Sequence, residues 1–334
     1  MEFLKACFMQ EQSRLKVSII VISKNEERII GRCLGSIFKQ TYPNIEVIIV
    51  DSSTDNTPNI IKSLLNLSPF PVKLIFQEAK GCAFARNTGL NEASGDLVTF
   101  VDVDEIIPPD YVENVVREFE DPKCLGVWTK GILAKPPNLI GQVFWLYEKV
   151  FYPGGPTIKN GICLDATVFR TSFLRGLGGY DATLKVGEDV DLWRRVRKKI
   201  TELSERGHYF KCLDNIEFKH IRDDDFSLTG HFLKMVWYGE GKLLAYRKKL
   251  ISIKDLLAPV YLFLVPLLAL ASLAACYYWI LLLPYLALFP FSMIKTFNEG
   301  FKEHELLLMS LLFPFIMMFK SFGIIIGIVK SIIR

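Results

Sequence analysis

Glycine-rich phosphate-binding turns are absent from this chain of 334 residues. The turn after the first predicted strand reads SKNEER, which excludes the G-x-G-x-x-G site that brings a backbone close to a dinucleotide pyrophosphate. No G-x-x-x-x-G-K-[ST] loop occurs either, and this excludes a P-loop site. A diphosphate ligand would therefore need a metal ion held by carboxylates in place of a backbone cradle.

C-x-x-C cysteine pairs are also missing, and we expect no cleavable leader. The seven cysteines are scattered without a C-x-x-C pair, which disfavours a zinc site or a disulfide framework and fits a reducing compartment. The opening residues, MEFLKACFMQEQSR, contain charges and too short an apolar stretch for a signal peptide. We expect residues 1–15 to be an N-terminal tail and the domain that follows not to be exported.

Charged residues are missing from Leu256 to Ile294. A single helix of that length would span roughly 58 Å, about twice the hydrocarbon core of a bilayer, so the pattern predicts a transmembrane helical hairpin over 256–294. A second apolar run, 306–329, is interrupted by Lys320, and we expect it to span the bilayer or to lie in its interface. The alternative, a buried helix of a soluble protein, suits much shorter runs.

Basic residues precede the first of these segments, at Lys242, Arg247, Lys248, Lys249 and Lys254. The positive-inside rule then places the domain before them on the cytoplasmic side of a multi-pass cell-membrane protein. Apolar and basic residues are mixed over 231–255, which predicts an amphipathic connector lying on the bilayer surface. Packing of the first half of this connector on the domain core is the alternative.

Strand-length apolar runs alternate with helical patterns over 16–230. The strand runs are KVSIIVIS, IEVIIVDS, VKLIFQE and DLVTFVDVD. Helical spacing follows the first run, Thr57 with Pro58 predicts a capped helix start after the second, and a further helix is expected around 83–93. Because the strands are almost continuously apolar, we predict an α/β domain with a mostly parallel, Rossmann-like sheet and helices on both faces.

Polar residues follow these strands at one edge of the predicted sheet. They are Asn25 and Glu26 after the first strand, Asp51 and Asp55 after the second, and Asp102 and Asp104 after the fourth. On an extended chain Asp102 and Asp104 would share a face, and two carboxylates aimed together favour a cation between them. The alternative is a solvated strand end. Glu105 is expected to face solvent.

Four stretches, taken together, resemble the inverting family 2 glycosyltransferases of the GT-A fold. They are VSIIVISKNEE, EVIIVDSSTDNT, KGCAFARNTGLNEASGDLVTFVDVDE and GGYDATLKVGEDVDLWRRVRKK. The resemblance covers Lys16 to about Trp237. The first stretch departs from the family pattern, since Ile22, Ser23 and Lys24 replace the commoner Pro-Thr-Tyr, and the second is one residue shorter than usual.

The resemblance implies a role for each matching residue. Nucleotide-sugar binding falls to Asp51, Arg86, Asn87 and Asp102, to which we add Glu26, and the Mg²⁺ or Mn²⁺ cofactor to Asp104, Asp102 and His220. Arg86 has a surface ion pair as its alternative, and His220 a purely structural role. Magnesium accepts such sparse protein ligation because phosphate oxygens and waters complete its shell.

The same resemblance makes Asp189 the general base, with the adjacent Glu188 able to exchange roles with it or to bind acceptor. A positioned carboxylate removes the proton of a hydroxyl nucleophile and contributes roughly 10² to 10⁴ in rate. The alternative is that Glu188 and Asp189 only begin a helix, where acids are favoured.

The expected function is metal-dependent, inverting transfer of one sugar from a UDP- or GDP-sugar to a lipid-linked acceptor, for glycan assembly at the cytoplasmic membrane face. The Q-x-x-R-W motif of processive synthases is absent, which disfavours polymerisation. A polyprenyl-phosphate acceptor and a non-catalytic membrane scaffold are the alternatives. Membrane lipid is an expected partner and nucleic acid is not. The oligomeric state stays open.

Overall fold

The computed structural model of the protein describes residues 15–134, 142, 166–221, 228–248, 253, 257, 259–260 and 319–333. The chain divides into two compact units. The first contains Met1–Ile132, Gly161–Ala182 and Leu192–His220, and the second contains Leu133–Asn160, Thr183–Asp191 and Ile221–Arg334.

An eight-stranded sheet runs through the first unit in the order β3-β2-β1-β4-β7-β6-β8-β5. The strands are β1 (Val17–Ser23), β2 (Ile45–Asp51), β3 (Val72–Phe76), β4 (Leu97–Phe100), β5 (Glu105–Ile106), β6 (Cys124–Leu133), β7 (Val168–Arg170) and β8 (Tyr209–His220). Strand β1 pairs in parallel with β2 and β4, and β2 with β3. The β4–β7, β6–β7 and β5–β8 pairs are antiparallel. The parallel pairing of β1 to β4 is confirmed. The expectation of a mostly parallel sheet was wrong, because β5 to β8 all take part in antiparallel pairs.

The described helices are α1 (Ile30–Ile37), α2 (Thr57–Leu64), α3 (Cys82–Glu92), α4 (Tyr111–Val116), α5 (Thr171–Gly176), α6 (Glu188–Ser204) and α7 (Leu228–Arg247). Two short 3₁₀ turns, Leu65–Leu67 and Arg117–Glu120, extend α2 and α4, and residues 319–333 are helical. The predicted helices after β2 and β3 are confirmed. Thr57 lies inside the first of them instead of capping it, since Asn56 is the residue before the helix.

Two hydrophobic cores cover the two faces of the sheet, because side chains alternate along a strand. Val17, Ile19 and Val21 of β1 lie in one core, which also holds buried residues of α1, α2 and α4. Ile20 of the same strand lies in the other, with buried residues of α3, α5 and α6. This arrangement confirms the prediction of helices on both faces.

The second unit contains α7, which overlaps the predicted connector 231–255. Met235 and Val236, two apolar residues of this predicted connector, are 8% and 6% exposed. Phe232 contacts Phe319 and Phe322 of the last helix, with ring centroids 5.2 and 5.8 Å apart. Phe232, Met235 and Val236 therefore pack on protein within their own unit, whereas Leu233 is 62% exposed. The bilayer contact of the connector stays a prediction.

In the part of the chain that the structure describes, no helix has both the length and the apolar character for a membrane crossing. Of the predicted hairpin, 256–294, only residues 257, 259 and 260 are described, and the first half of the predicted segment 306–329 is also outside the described residues. Both membrane segments stay predictions.

Glu46 joins the amino ends of three chain segments at the edge of the sheet opposite the acidic residues. It accepts hydrogen bonds from Ser18 Oγ at 2.6 Å and from the backbone N–H of Ser94 at 2.7 Å, and it pairs with Lys16 Nζ at 2.6 Å. Burial works to raise its pKa, but the hydrogen bonds from Lys16, Ser18 and Ser94 outweigh burial and lower the pKa to about 2.

We predict that Glu46→Gln lowers the free energy of unfolding at pH 7 by about 1 to 2 kcal/mol, a value reduced for the solvent exposure of Lys16. A lowered pKa stabilises the fold above the unfolded-state pKa of about 4.5, and this contribution disappears as the pH falls toward about 2. The free energies of unfolding of Glu46→Gln and the parent protein, measured by urea titration, should therefore converge as the pH falls from about 4.5 to about 2. Glu92→Gln, at an exposed ion pair with Lys73, is the control with a smaller effect at any pH.

Candidate functional site

Asp51 lies at the carboxyl ends of the parallel strands, where it is the last residue of β2. Its side chain is buried, with Oδ1 accepting hydrogen bonds from the Ser23 and Ser53 hydroxyls, each at 2.6 Å. Ser23 ends β1 and Asp51 ends β2, and the two residues are in register. A buried carboxyl is tolerated because these donors satisfy it. The predicted acid is therefore at the strand end, held by two hydroxyls that the sequence patterns did not single out.

In the glycine-free turn after β1, an asparagine takes the left-handed backbone position that glycine often occupies in turns. Asn25 has φ of 59°, a left-handed conformation that asparagine tolerates. Its Oδ1 accepts a hydrogen bond from the Thr54 N–H at 2.8 Å, while the N–H of Glu26 donates to Thr57 Oγ1 at 2.8 Å. The turn is thereby attached to the loop after β2, and Glu26 lies at the same edge as Asp51.

Asp55 belongs to the turn that starts α2. Its Oδ1 accepts a hydrogen bond from the Thr57 N–H at 3.0 Å. Burial opposes the shift, but hydrogen bonds from the hydroxyl and N–H of Thr57 lower the pKa of Asp55. This contact gives Asp55 a structural role in the turn before α2.

Asp102 and Asp104 lie on a turn and not on an extended strand. Strand β4 ends at Phe100, and the N–H of Glu105 donates to the carbonyl of Asp102 at 2.9 Å. The argument from alternating side chains therefore does not apply to this pair. Both carboxylates are nevertheless partly exposed, at 32% and 36% of their side chains, while Val103 between them is buried.

Arg86 holds Asp102 from one side. Its Nη2 lies 2.9 and 3.2 Å from the two carboxylate oxygens, and its guanidinium lies 5.3 Å from the ring centroid of Tyr180. Tyr180 packs edge-on against Phe100 with centroids 5.2 Å apart. The Arg86 side chain is 12% exposed, so this pair is partly buried and is not the surface ion pair considered as the alternative.

Asn87 connects α3 to the segment before α6. Its amide donates to the carbonyl of Tyr180 at 2.7 Å and accepts from the N–H of Tyr180 at 2.8 Å. Gly179 has φ of +66°, and a Cβ there would lie 2.5 Å from Asn87 Oδ1. Asn87 therefore positions Tyr180 beneath Arg86. The sequence motifs did not identify Tyr180. The two glycines before it are the only sign, since Gly179 has a positive φ and leaves no room for a side chain next to Asn87.

Glu105 corrects one expectation, since its side chain is completely buried and does not face solvent. The register of β5 and β8 places Glu105 opposite His220, with Glu105 Oε1 3.6 Å from His220 Nε2. Glu105 Oε2 accepts a hydrogen bond from the N–H of Asp102 at 3.0 Å. The residue after the D-x-D pair thus supports the turn from inside the fold.

Cys33 of α1 reports the negative charge around this turn. Its Sγ lies 3.5 Å from the carbonyl oxygen of Asp102. Burial, and then the negative charges of Glu105, Asp104 and Asp102, raise the pKa of the thiol well above its usual value. The negative electrostatic potential of these carboxylates favours a bound cation.

Two of the predicted metal ligands, Asp104 and His220, lie close together at this turn. Asp104 Oδ1 and His220 Nδ1 are 4.0 Å apart, so at bond lengths of about 2.0 to 2.2 Å both atoms can contact one ion only from nearly opposite sides. Among the described residues, no group of three or more His, Cys, Asp and Glu side chains is arranged to hold a metal by itself. The fit is therefore to a sparsely ligated ion that takes its other ligands from phosphate and water.

Glu188 and Asp189 are the first two residues of α6. They belong to the second unit, while α6 from Leu192 onward belongs to the first. Gly187 before them has φ of +84°, and Asp189 Oδ1 accepts a hydrogen bond from the N–H of Val190 at 2.8 Å. Asp189 is exposed. Glu188 and Asp189 do begin a helix, as the alternative expected, and their catalytic roles stay predictions.

The mixed α/β sheet with helices on both faces is consistent with the GT-A fold. Comparison with protein families matches residues 18–175 to "Glycosyl transferase family 2". The chain belongs to this family of glycosyltransferases.

Two curated relatives show how far the similarity extends. The chain is 43% identical over 185 residues to "UDP-Glc:alpha-D-GlcNAc-diphosphoundecaprenol beta-1,3-glucosyltransferase WfgD" of Escherichia coli, which covers 54% of this chain and 70% of WfgD. It is 44% identical over 104 residues to "Glycosyltransferase GlyA" of Streptococcus pneumoniae, which covers 31% of this chain and 15% of GlyA. The chain thus spans a small part of GlyA.

A solved structure shares the fold over most of the chain. It is the mannosyltransferase PcManGT from Pyrobaculum calidifontis in complex with GDP-Man and Mn²⁺. The two are 19% identical with a TM-score of 0.53, over 99% of this chain and 93% of that one.

We predict that Glu105→Ala destabilises the protein by about 1 to 3 kcal/mol, because the Asp102 N–H loses its buried acceptor. Glu105→Gln keeps an oxygen acceptor of the same size and is the matched control, with a smaller loss. Chemical denaturation of both variants measures the difference. Equal stability of Glu105→Ala and the parent protein would contradict the supporting role of Glu105.

Proposed function

We propose that this protein transfers a single sugar, with inversion, from a nucleotide-sugar donor to a lipid-linked acceptor. The observation that carries the proposal is the D-x-D turn at the carboxyl edge of the parallel strands, with Arg86 pairing Asp102 outside and Glu105 supporting the turn inside. Ligands of open α/β sheets bind at this edge. The match to the glycosyltransferase family supplies the reaction class.

The donor site in this proposal uses Asp51, Glu26, Arg86, Asn87 and Asp102, and the donor is a UDP- or GDP-sugar. Asp51 reaches the base, while Asp102 lies nearer the ribose. Asn87 contributes through Tyr180, since both ends of its amide are hydrogen-bonded to the Tyr180 backbone.

Asp104, Asp102 and His220 would hold Mg²⁺ or Mn²⁺ in this proposal. When bound, the ion stabilises the departing nucleoside diphosphate as a Lewis acid. The partly exposed carboxylates and the 4.0 Å approach of Asp104 to His220 support this assignment.

Asp189 would remove the proton of an acceptor hydroxyl, with Glu188 beside it. A sugar hydroxyl needs such a base, whereas a polyprenyl phosphate is already ionised at neutral pH. The presence of the Glu-Asp pair therefore favours a lipid-linked saccharide as acceptor. The name of WfgD, which specifies a sugar on diphosphoundecaprenol as its acceptor, supports the same choice.

The lipid acceptor fits a membrane location. We propose that 256–294 forms a transmembrane hairpin, that 306–329 spans or lies in the interface, and that the sugar-transferring domain faces the cytoplasm. The absence of charge between Leu256 and Ile294 and the basic residues before it support this proposal.

We predict that the full chain, incubated with a panel of UDP- and GDP-sugars and lipid-linked saccharides, releases nucleoside diphosphate in a Mn²⁺- or Mg²⁺-dependent reaction. Asp189→Asn should lower kcat by roughly 10² to 10⁴ and leave the dissociation constant of the donor unchanged, because only the base is removed. Asp191→Asn, in the same first helical turn, is the control. The absence of turnover with every donor and acceptor would overturn the enzyme proposal.

We also predict that the protein stays in the membrane fraction after carbonate extraction. In a separate experiment on intact vesicles, trypsin should degrade residues 15–220 in inside-out vesicles and spare them in right-side-out vesicles. Equal cleavage in both preparations would contradict the cytoplasmic orientation.

A further inference from the structure

The segment Thr183–Asp191, which carries the Glu-Asp pair, belongs to the same compact unit as α7. Lys185 forms an ion pair with Glu240 of α7, whose side chain is 14% exposed. Lys248, just after α7, donates a hydrogen bond to Thr183 Oγ1. The segment is therefore attached to α7 at two polar points.

A glycine brings this segment close to the helix backbone. A Cβ on Gly241 of α7 would lie 2.5 Å from both Cβ and Cγ2 of Val186, a distance that real Cβ atoms do not reach. Val186 is separated from Glu188 only by Gly187. The contact between Val186 and α7 is thus two residues from the start of the Glu-Asp pair.

On another face, α7 packs backbone to backbone on the helix 319–333. A Cβ on Gly239 would overlap the carbonyl of Ile324, and a Cβ on Gly327 would overlap the carbonyl of Val236. A Cβ on Gly323 would lie 2.7 Å from that of Met235. Small residues allow helices to approach in this way. Helix α7 therefore has little freedom to shift on its partner.

We propose that this helix pair, α7 with residues 319–333, is a positioning device for the Glu-Asp pair. It sets where Asp189 meets the acceptor hydroxyl. The positioning residues are Gly241 and Glu240 of α7, together with Lys185 of the attached segment. The inference rests on the proposed function, in which Asp189 is the base. A misplacement of about 1 Å can cost as much as 10²-fold in rate, so a rigid support has a direct catalytic value.

The sequence adds a reason why this support would come from these helices. The uncharged stretch 256–294 lies between α7 and residues 319–333 along the chain. If this stretch holds the protein on the membrane, the helices that flank it also place the base at a defined height above the bilayer. A lipid-linked acceptor presents its hydroxyl at such a height.

The test uses the full chain in lipid nanodiscs with the donor and acceptor found active. Gly241→Ala should lower kcat about tenfold or more and leave the donor KM within twofold, because the donor residues are in the other unit. Lys185→Glu places two negative charges together and should lower kcat in the same way. Adding Glu240→Lys should restore most of the loss.

A second readout does not depend on activity. Trypsin cleavage after Lys185 should be several-fold faster in Gly241→Ala than in the parent chain, because the segment is less tightly held. Lys199→Glu with Glu202→Lys, an exposed pair on α6, is the matched control and should change neither kcat nor cleavage at Lys185.

The two proposals fail separately. An inactive parent chain sinks the proposed function, while trypsin still tests whether the segment is docked on α7. An active parent chain with unchanged kcat and unchanged Lys185 cleavage in Gly241→Ala overturns the positioning role. An equal loss of donor affinity and kcat would also overturn it, since it indicates a general folding defect.

Discussion

The buried carboxyl group of Glu105 is the contact on which the acidic edge depends. It accepts a hydrogen bond from the N–H of Asp102 and lies beside His220, so it connects the turn after β4 to β8. A buried carboxyl is costly unless it is hydrogen-bonded, and here its partners are parts of the site. Because Arg86 holds the same turn from outside, Asp102 and Asp104 are presented in a defined arrangement instead of at the end of a frayed strand.

The two halves of the sheet have different tasks in this arrangement. The parallel half, β1 to β4, ends at the edge where Asp51 and the D-x-D turn lie, since parallel strands direct all their carboxyl ends to one side. The antiparallel half supplies His220 and the partner strand of Glu105. The proposed donor site therefore requires both halves, and its metal donors come from segments more than a hundred residues apart in the sequence.

The acceptor side of the proposed reaction is built differently. Glu188 and Asp189 are at the start of a helix whose preceding residues are attached to α7 by an ion pair, a hydrogen bond and a glycine contact. The proposed donor residues thus belong mainly to the sheet and its turns, and the proposed base to a segment attached to a pair of closely packed helices. This division suits the proposed transfer from a soluble nucleotide sugar to a lipid-linked acceptor.

By itself, the sequence determined the alternation of strands and helices, the two-sided packing and the polar residues at the strand ends, because these follow from periodicity and local backbone preference. It also carried the motifs of the family. Only the tertiary structure decided that the sheet is mixed, that Asp102 and Asp104 lie on a turn, that Glu105 is buried and that Tyr180 packs beneath Arg86. These features depend on contacts between distant segments, and a carboxylate next to two others in sequence gives no sign of whether a strand from the far end of the domain will cover it.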